Sequence, residues 1–89
     1  MTGMEETREI RLRRLGMRSW RRGMREMDLL LGKFADSELA ALGDGELDLY
    51  EGFLAENDQD LYLWICRRDG HPGRYDALVR RIAAFHSIG

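Results

Sequence analysis

Apolar residues recur at intervals of three and four along nearly the whole chain, and no stretch alternates at period two for long enough to make a strand. That spacing restricts the fold to helices, and it predicts five. Ile10, Met17 and Trp20 share one arc of a first helix over roughly residues 5–21, with Leu12 and Leu15 widening the arc. Met24, Met27, Leu30, Leu31 and Phe34 mark a second, and Leu47, Tyr50, Phe53 and Leu54 a third. Leu61, Trp64 and Ile65 mark a short fourth, and Tyr75, Leu78, Val79, Ile82 and Phe85 a fifth.

The residues between these segments agree with the division. Gly43-Asp44-Gly45 interrupts the chain, and Asp44 is placed to cap the third helix. Asn57 precedes the fourth, with Asp58 and Asp60 in the first turn and Arg67 and Arg68 at the end, the arrangement a helix dipole favours. Gly70-His71-Pro72-Gly73 then stops it. With 89 residues there is room for one core, so the expectation is a compact all-α bundle of five short helices forming a single domain over residues 1–89. Its 44% hydrophobic content is too high for a disordered chain.

Charge is unevenly spread. Residues 1–25 hold eight arginines against Glu5, Glu6 and Glu9, whereas residues 26–60 hold eleven acids against Lys33 alone. Such a dipole either steers encounter with a charged partner or pairs internally. The arginines at spacings of three and four could also track a phosphate backbone, so a nucleic-acid-binding or regulatory protein is the alternative reading. The acidic remainder and the lack of a recognition helix weigh against it.

Sites of chemistry are hard to find. His71 and His86 lack partners at metal-ligand spacing, so no metal site is expected; the first reads as a loop residue and the second as the frayed end of a helix. Cys66, the one cysteine, excludes an internal disulfide, fits a reducing compartment and reads as a buried or half-buried small hydrophobe. No catalytic residue is indicated and no glycine-rich loop follows a strand, so neither an enzyme nor a stable flavin carrier is expected. No apolar run is long enough to span a membrane, and the first residues have neither secretory nor transit character.

The segment Arg21–Asp28 is unusual. If it were helical throughout, Arg22, Arg25, Glu26 and Leu29 would lie on the arc opposite Met24, Met27 and Leu31, with Asp28 at the flank. Leu29 would then be an exposed leucine ringed by charge. Gly23 would weaken such a helix; it makes sense if another backbone must come close or if the chain turns there between two helices. In the plainest case it simply ends the first helix, leaving Arg22 and Glu26 as a surface pair.

Arg22-Gly23-x-x-Glu26-x-Asp28 resembles the RGxxExD signature of the SdhE family, the succinate dehydrogenase flavinylation and assembly factors. The likeness extends over roughly residues 8–85. Glu46-Leu-x-x-Tyr50-x-x-Phe53-Leu54, Asn57-Asp58-x-Asp60-Leu61-x-x-Trp64 and Val79-Arg80-x-Ile82 follow in the family's order. It implies a five-helix protein that binds the flavoprotein subunit of succinate dehydrogenase, and in some bacteria that of fumarate reductase. It further implies that the protein promotes covalent attachment of FAD to a histidine of that partner without holding a cofactor of its own. Arg22, Gly23, Glu26 and Asp28 would belong to the partner-binding surface, which the helical geometry extends to Arg25 and Leu29. A bacterial cytoplasmic protein, monomeric when free, is the resulting expectation, with weak dimers permitted by the exposed apolar positions.

Overall fold

The computed structural model describes residues 6–88. Five main helices are present and no strand occurs among the described residues: α1 (Arg8–Ser19), α2 (residues 25–41), α3 (Asp44–Leu54), α4 (Asp58–Arg67) and α5 (Asp76–Phe85). A one-turn 3-10 segment, Gly73–Tyr75, leads into α5. The all-α expectation holds, and the bounds move by a few residues.

Starts and stops follow local chemistry. Thr7 caps α1 by accepting the Ile10 N–H, and Asn57 caps α4 by accepting that of Gln59. At α3 the cap is Gly43 rather than Asp44, which is already helical; Glu46 reaches back to accept the Gly43 N–H at 2.9 Å. Helix α4 ends where Arg68 turns left-handed.

Helix α2 is composite. An α-turn at Arg25–Met27 passes into a π-helical stretch, Asp28–Gly32, then an α-segment, Lys33–Glu38, and a closing 3-10 turn, Leu39–Ala41. The wider π turn lets adjacent residues face inward together, so Leu31 and Gly32 are both buried, as are Phe34 and Ala35. Gly32 is required by packing: a Cβ there would lie 2.3 Å from the indole of Trp20, which rests across it. His86, expected as a frayed end, instead donates from Nε2 to the Leu30 carbonyl at 2.7 Å, tying the chain's close to the π stretch.

Phe34 is wholly buried in the core, against two other aromatic rings. Its ring centroid is 5.8 Å from those of Tyr50 and Phe85, the latter in a T-shaped arrangement. Leu15, Met27, Leu31, Leu47, Phe53, Leu61, Ile65, Val79 and Ile82 complete it, all wholly excluded from solvent. Among the described residues Ser19 is the one buried polar residue, with its hydroxyl 2.8 Å from the Leu15 carbonyl and 2.6 Å from the Tyr50 hydroxyl. Burial pushes the Tyr50 phenol up to about 12, against the opposing pull of Ser19 and the Arg22 charge, so it stays a neutral hydrogen-bonding group.

Helix α1 corrects the sequence-based arc. Leu15 and Ser19 face the core with Leu12 half-buried, whereas Ile10 and Met17 are 52% and 67% exposed. The reason is that α1 packs on α3 through charge as well as apolar contact. Arg8 bonds Asp44 at 3.0 Å, Arg11 bonds Asp48 at 2.6 Å and Glu51 at 3.2 Å, and Arg14 bonds Glu51 at 2.9 Å and Glu6 at 2.7 Å. The basic start of the chain thus pairs with its acidic middle.

Bonding to Arg14 holds the Glu51 carboxyl below its ordinary value of 4.5, with the charges of Arg14 and Arg11 acting in the same sense. A carboxyl with a depressed folded-state pKa contributes stability above its unfolded pKa and loses it as pH falls through the folded one. Unfolding free energy should therefore decline as pH drops below about 4.5, and Glu51→Gln should shallow that decline while costing at most about 1 kcal/mol at neutral pH, as for half-exposed ion pairs. Urea titrations at pH 3.5 and 7 check this; an unaltered acid slope in the variant would remove Glu51 from the account.

Candidate functional site

Between α1 and α2 the chain does not continue as a helix. Trp20 is extended, Arg21 sits at φ 61° and Gly23 at φ 98°, and Met24 is extended again before α2 begins at Arg25. Of the alternatives open for Gly23, the turn between two helices is the one adopted. Its φ lies where a side chain is disfavoured, and no atom beyond its two chain neighbours lies within 4 Å of where a Cβ would stand. Intramolecular crowding does not demand glycine there; backbone conformation does.

Two signature residues hold this turn. The Arg22 guanidinium reaches Asp58 at the start of α4, with Nη2 and Nε 2.7 and 2.9 Å from Oδ1. Its Nη2 also approaches the Glu56 carbonyl at 3.4 Å. Only 11% of the Arg22 side chain and 18% of that of Asp58 is exposed, so this is a largely desolvated pair, costly to break on one side only. Asp28 accepts the Arg22 N–H through Oδ1, closing the turn against the first residues of α2. The surface pair between Arg22 and Glu26 does not form, because Asp58 takes the guanidinium.

The other four named residues point outward. Gly23, Arg25 and Glu26 are exposed and Leu29 is 41% exposed. Arg25, Glu26 and Leu29 keep a common face at helical spacing, while Arg22 leaves it. Of the six residues expected at the partner surface, the structure leaves four exposed and uses Arg22 and Asp28 inside the turn. Asp58 and the strained Arg21 are further parts of this arrangement. Asn57-Asp58 was legible as a helix start, but nothing in a single sequence shows that Asp58 also receives Arg22 from 36 residues away.

Elsewhere the chemistry is structural. His71 binds Asp76 at 2.9 Å, fixing the Gly70–Gly73 loop to α5, and Cys66 is half-buried. Among the described residues no group of three or more His, Cys, Asp or Glu could hold a metal ion, and no helix is long and apolar enough to cross a membrane.

A five-helix domain with a clamped, strained Arg-Gly-x-x-Glu-x-Asp turn exposed between its first two helices defines a narrow class of small all-α proteins. The chain belongs to the family described as flavinator of succinate dehydrogenase, whose family model matches residues 13–86. It is 48% identical over 59 residues to "Succinate dehydrogenase assembly factor 2, mitochondrial" of Meyerozyma guilliermondii, covering 66% of this chain and 44% of that protein. It is 41% identical over 70 residues to the protein of the same name from Mycosarcoma maydis, covering 79% of this chain and 29% of the relative. Assembly factor 2-B of Drosophila mojavensis is 33% identical over 84 residues, 92% of this chain and 54% of its own length. The chain thus spans roughly half or less of these relatives. No solved structure gives a significant match.

These names overturn the expected bacterial cytoplasmic address, since the relatives are named as mitochondrial proteins. The first residues and the lone Cys66 suggest that address, whereas the family match lies over residues 13–86, the folded domain. Packing and signature turn carry no information on compartment.

Proposed function

We propose that this chain is a succinate dehydrogenase assembly factor that binds the flavoprotein subunit and promotes covalent attachment of FAD to it. The observation that carries the reading is the clamped turn: Arg22 and Asp28 are used internally, so Gly23, Arg25, Glu26 and Leu29 are left exposed around a turn of fixed geometry. Preorganisation of this kind lowers the ordering cost of docking. Exposed Leu29 between Arg25 and Glu26 offers an apolar centre with charge of both signs at its rim, the anatomy of a protein interface.

In this reading the new bond between flavin and protein belongs to the partner, and this chain supplies no reacting group and keeps no flavin. Gly23 lets the partner backbone come close, Arg25 and Glu26 make charge-assisted contacts, and Arg22, bound to Asp58, keeps the loop from relaxing. The fumarate reductase flavoprotein is a second candidate of the same chemistry. The relatives' names favour the mitochondrion as the place of action.

The nucleic-acid alternative loses its footing in the fold, because Arg8, Arg11 and Arg14 are engaged by Asp44, Asp48 and Glu51. The decisive test is co-expression of the cognate flavoprotein subunit with and without this chain, followed by flavin fluorescence on a denaturing gel. Covalent flavin should rise severalfold with the chain present; equal signal in both lanes would overturn the proposal.

A further inference from the structure

The π-helical stretch Asp28–Gly32 begins at the last residue of the signature and contains Leu29, the apolar residue of the exposed face. The spacing of its apolar residues does not call for it. Met27, Leu31 and Phe34 are separated by four and three, a pattern that an α-helix would bury equally well. A short π turn inside an α-helix is rare and occurs frequently at functional sites. Passing between the two forms shifts the backbone ladder by one residue, which is about 100° of rotation across the stretch. The form adopted therefore decides how Arg25, Glu26 and Leu29 are aimed relative to the rest of the bundle.

Two contacts from outside the helix hold the π form. On one side the Trp20 indole lies across Gly32, where a Cβ would come within 2.3 Å of the ring. On the other, His86 donates from Nε2 to the Leu30 carbonyl at 2.7 Å, across 56 residues of chain. The imidazole is fixed from its own side as well. Helix α5 closes with Ser87 left-handed at φ 57°, its N–H bonded to the Ala84 carbonyl and that of Ile88 to the Ala83 carbonyl. That closure leaves His86 at the helix end, and the Phe85 ring meets the imidazole edge-on, with centroids 4.9 Å apart. His86 itself is half-buried and stands outside the apolar core.

We infer that His86 is a positioning residue for partner docking: its bond to the Leu30 carbonyl selects the π form of Asp28–Gly32 and so aims the exposed residues from Gly23 to Leu29. The inference rests on the functional reading given above. The path is short. Leu30 follows Leu29 directly, and Asp28, at the start of the stretch, accepts the Arg22 N–H and closes the turn. Without the imidazole donor, the α ladder competes for the Leu30 carbonyl, and Asp28 and Leu29 turn with the backbone. The Arg22 guanidinium stays on Asp58, so the turn does not come apart. Its exposed side is aimed differently, and affinity for the flavoprotein falls while the fold persists.

The test is equilibrium binding of the chain to the purified, flavin-free flavoprotein subunit, at a temperature where circular dichroism shows every variant folded. His86→Gln keeps an N–H donor at the reach of imidazole Nε2, whereas His86→Asn holds its amide closer to the backbone and falls short of Leu30. The asparagine variant should weaken binding about tenfold, the effect of one hydrogen bond left unmade. The glutamine variant should stay within about threefold of the unaltered chain. Leu78→Ala, on α5 beside Glu46 and Leu49 of α3, controls for lost stability. It should lower the thermal midpoint more than His86→Asn does, yet bind within about threefold of the unaltered chain. In the free chain the Arg22 amide proton resonance reports the bond to Asp28. It should move in His86→Asn and hold its place in His86→Gln and Leu78→Ala.

Failure to bind by the unaltered chain would sink the functional reading and the positioning role with it. Normal binding by His86→Asn, alongside loss in Gly23→Arg, would sink the positioning role alone. Equal loss in His86→Gln would show that the hydrogen bond is not the link and also overturn it. Equal loss in Leu78→Ala would tie docking to overall stability, with the same result. An Arg22 resonance unmoved in His86→Asn would break the path from α5 to the turn.

Discussion

Replacing Gly23 by arginine is expected to reduce covalent flavin on the partner to the level seen without the chain, while circular dichroism stays nearly unchanged. Two effects operate and can be separated. Any side chain at φ 98° costs about 1–2 kcal/mol of backbone strain. Since no atom beyond its two chain neighbours lies within 4 Å of the Cβ position, this cost is nearly the same for alanine and for arginine within the free chain. Only a partner pressed against the turn distinguishes the two. Gly23→Ala should therefore lower the thermal midpoint by several degrees yet keep most of the flavinylation, whereas Gly23→Arg should lose it. Equal loss in both would make turn conformation the whole requirement and remove close approach. Full activity in the arginine variant would remove this face from the docking surface.

Phe34→Ala is expected to cost about 3–5 kcal/mol. A chain of this length is stabilised by about 4–13 kcal/mol in total, so the variant should lose most of its cooperative unfolding transition or show it at far lower urea. The magnitude follows from where Phe34 sits. It is wholly buried on the helix that follows the signature turn, against Tyr50 of α3 and Phe85 of α5, and its removal opens a void shared by three helices. Collapse into that void is opposed on one side by the Tyr50–Ser19 hydrogen bond at 2.6 Å and on the other by His86 bound to Leu30. Phe34→Leu, closer in volume, should cost under about 1.5 kcal/mol. A loss below about 1 kcal/mol for the alanine variant would show that the core relaxes around the site and that these anchors do not hold it open.

The helices were legible because burial has a period. Met27, Leu31 and Phe34, Leu47, Tyr50, Phe53 and Leu54, and Val79 and Ile82 are all buried where spacing placed them. The period failed at α1 for a physical reason: that helix is seated by arginines on the acids of α3, so its apolar Ile10 and Met17 are left outside. A search for apolar arcs ranks them as core. The π stretch at Asp28–Gly32 could not be read either, since it arises from tertiary demands, an indole across Gly32 and a histidine on the Leu30 carbonyl. The signature residues stand together in the sequence, which does not show which of them are bonded inside the fold and which are left exposed. That division depends on Asp58, whose pairing with Arg22 crosses 36 residues of chain.

The seating of Trp20 across Gly32 has a consequence for how this molecule can be watched. The chain has two tryptophans, equally half-buried but with different neighbours. Trp64 is half-buried against Phe53 and Tyr75, with centroids 6.1 Å away in each case. Trp20 is likewise half-buried, but it stands at the end of α1 beside the signature turn, with no aromatic ring among the described residues stacked on it. In a chain with Trp64 replaced by phenylalanine, the ultraviolet emission comes from one indole at the edge of the turn. Its wavelength tracks hydration at that spot alone, so arrival of a partner becomes an optical event intrinsic to the protein, with no attached dye.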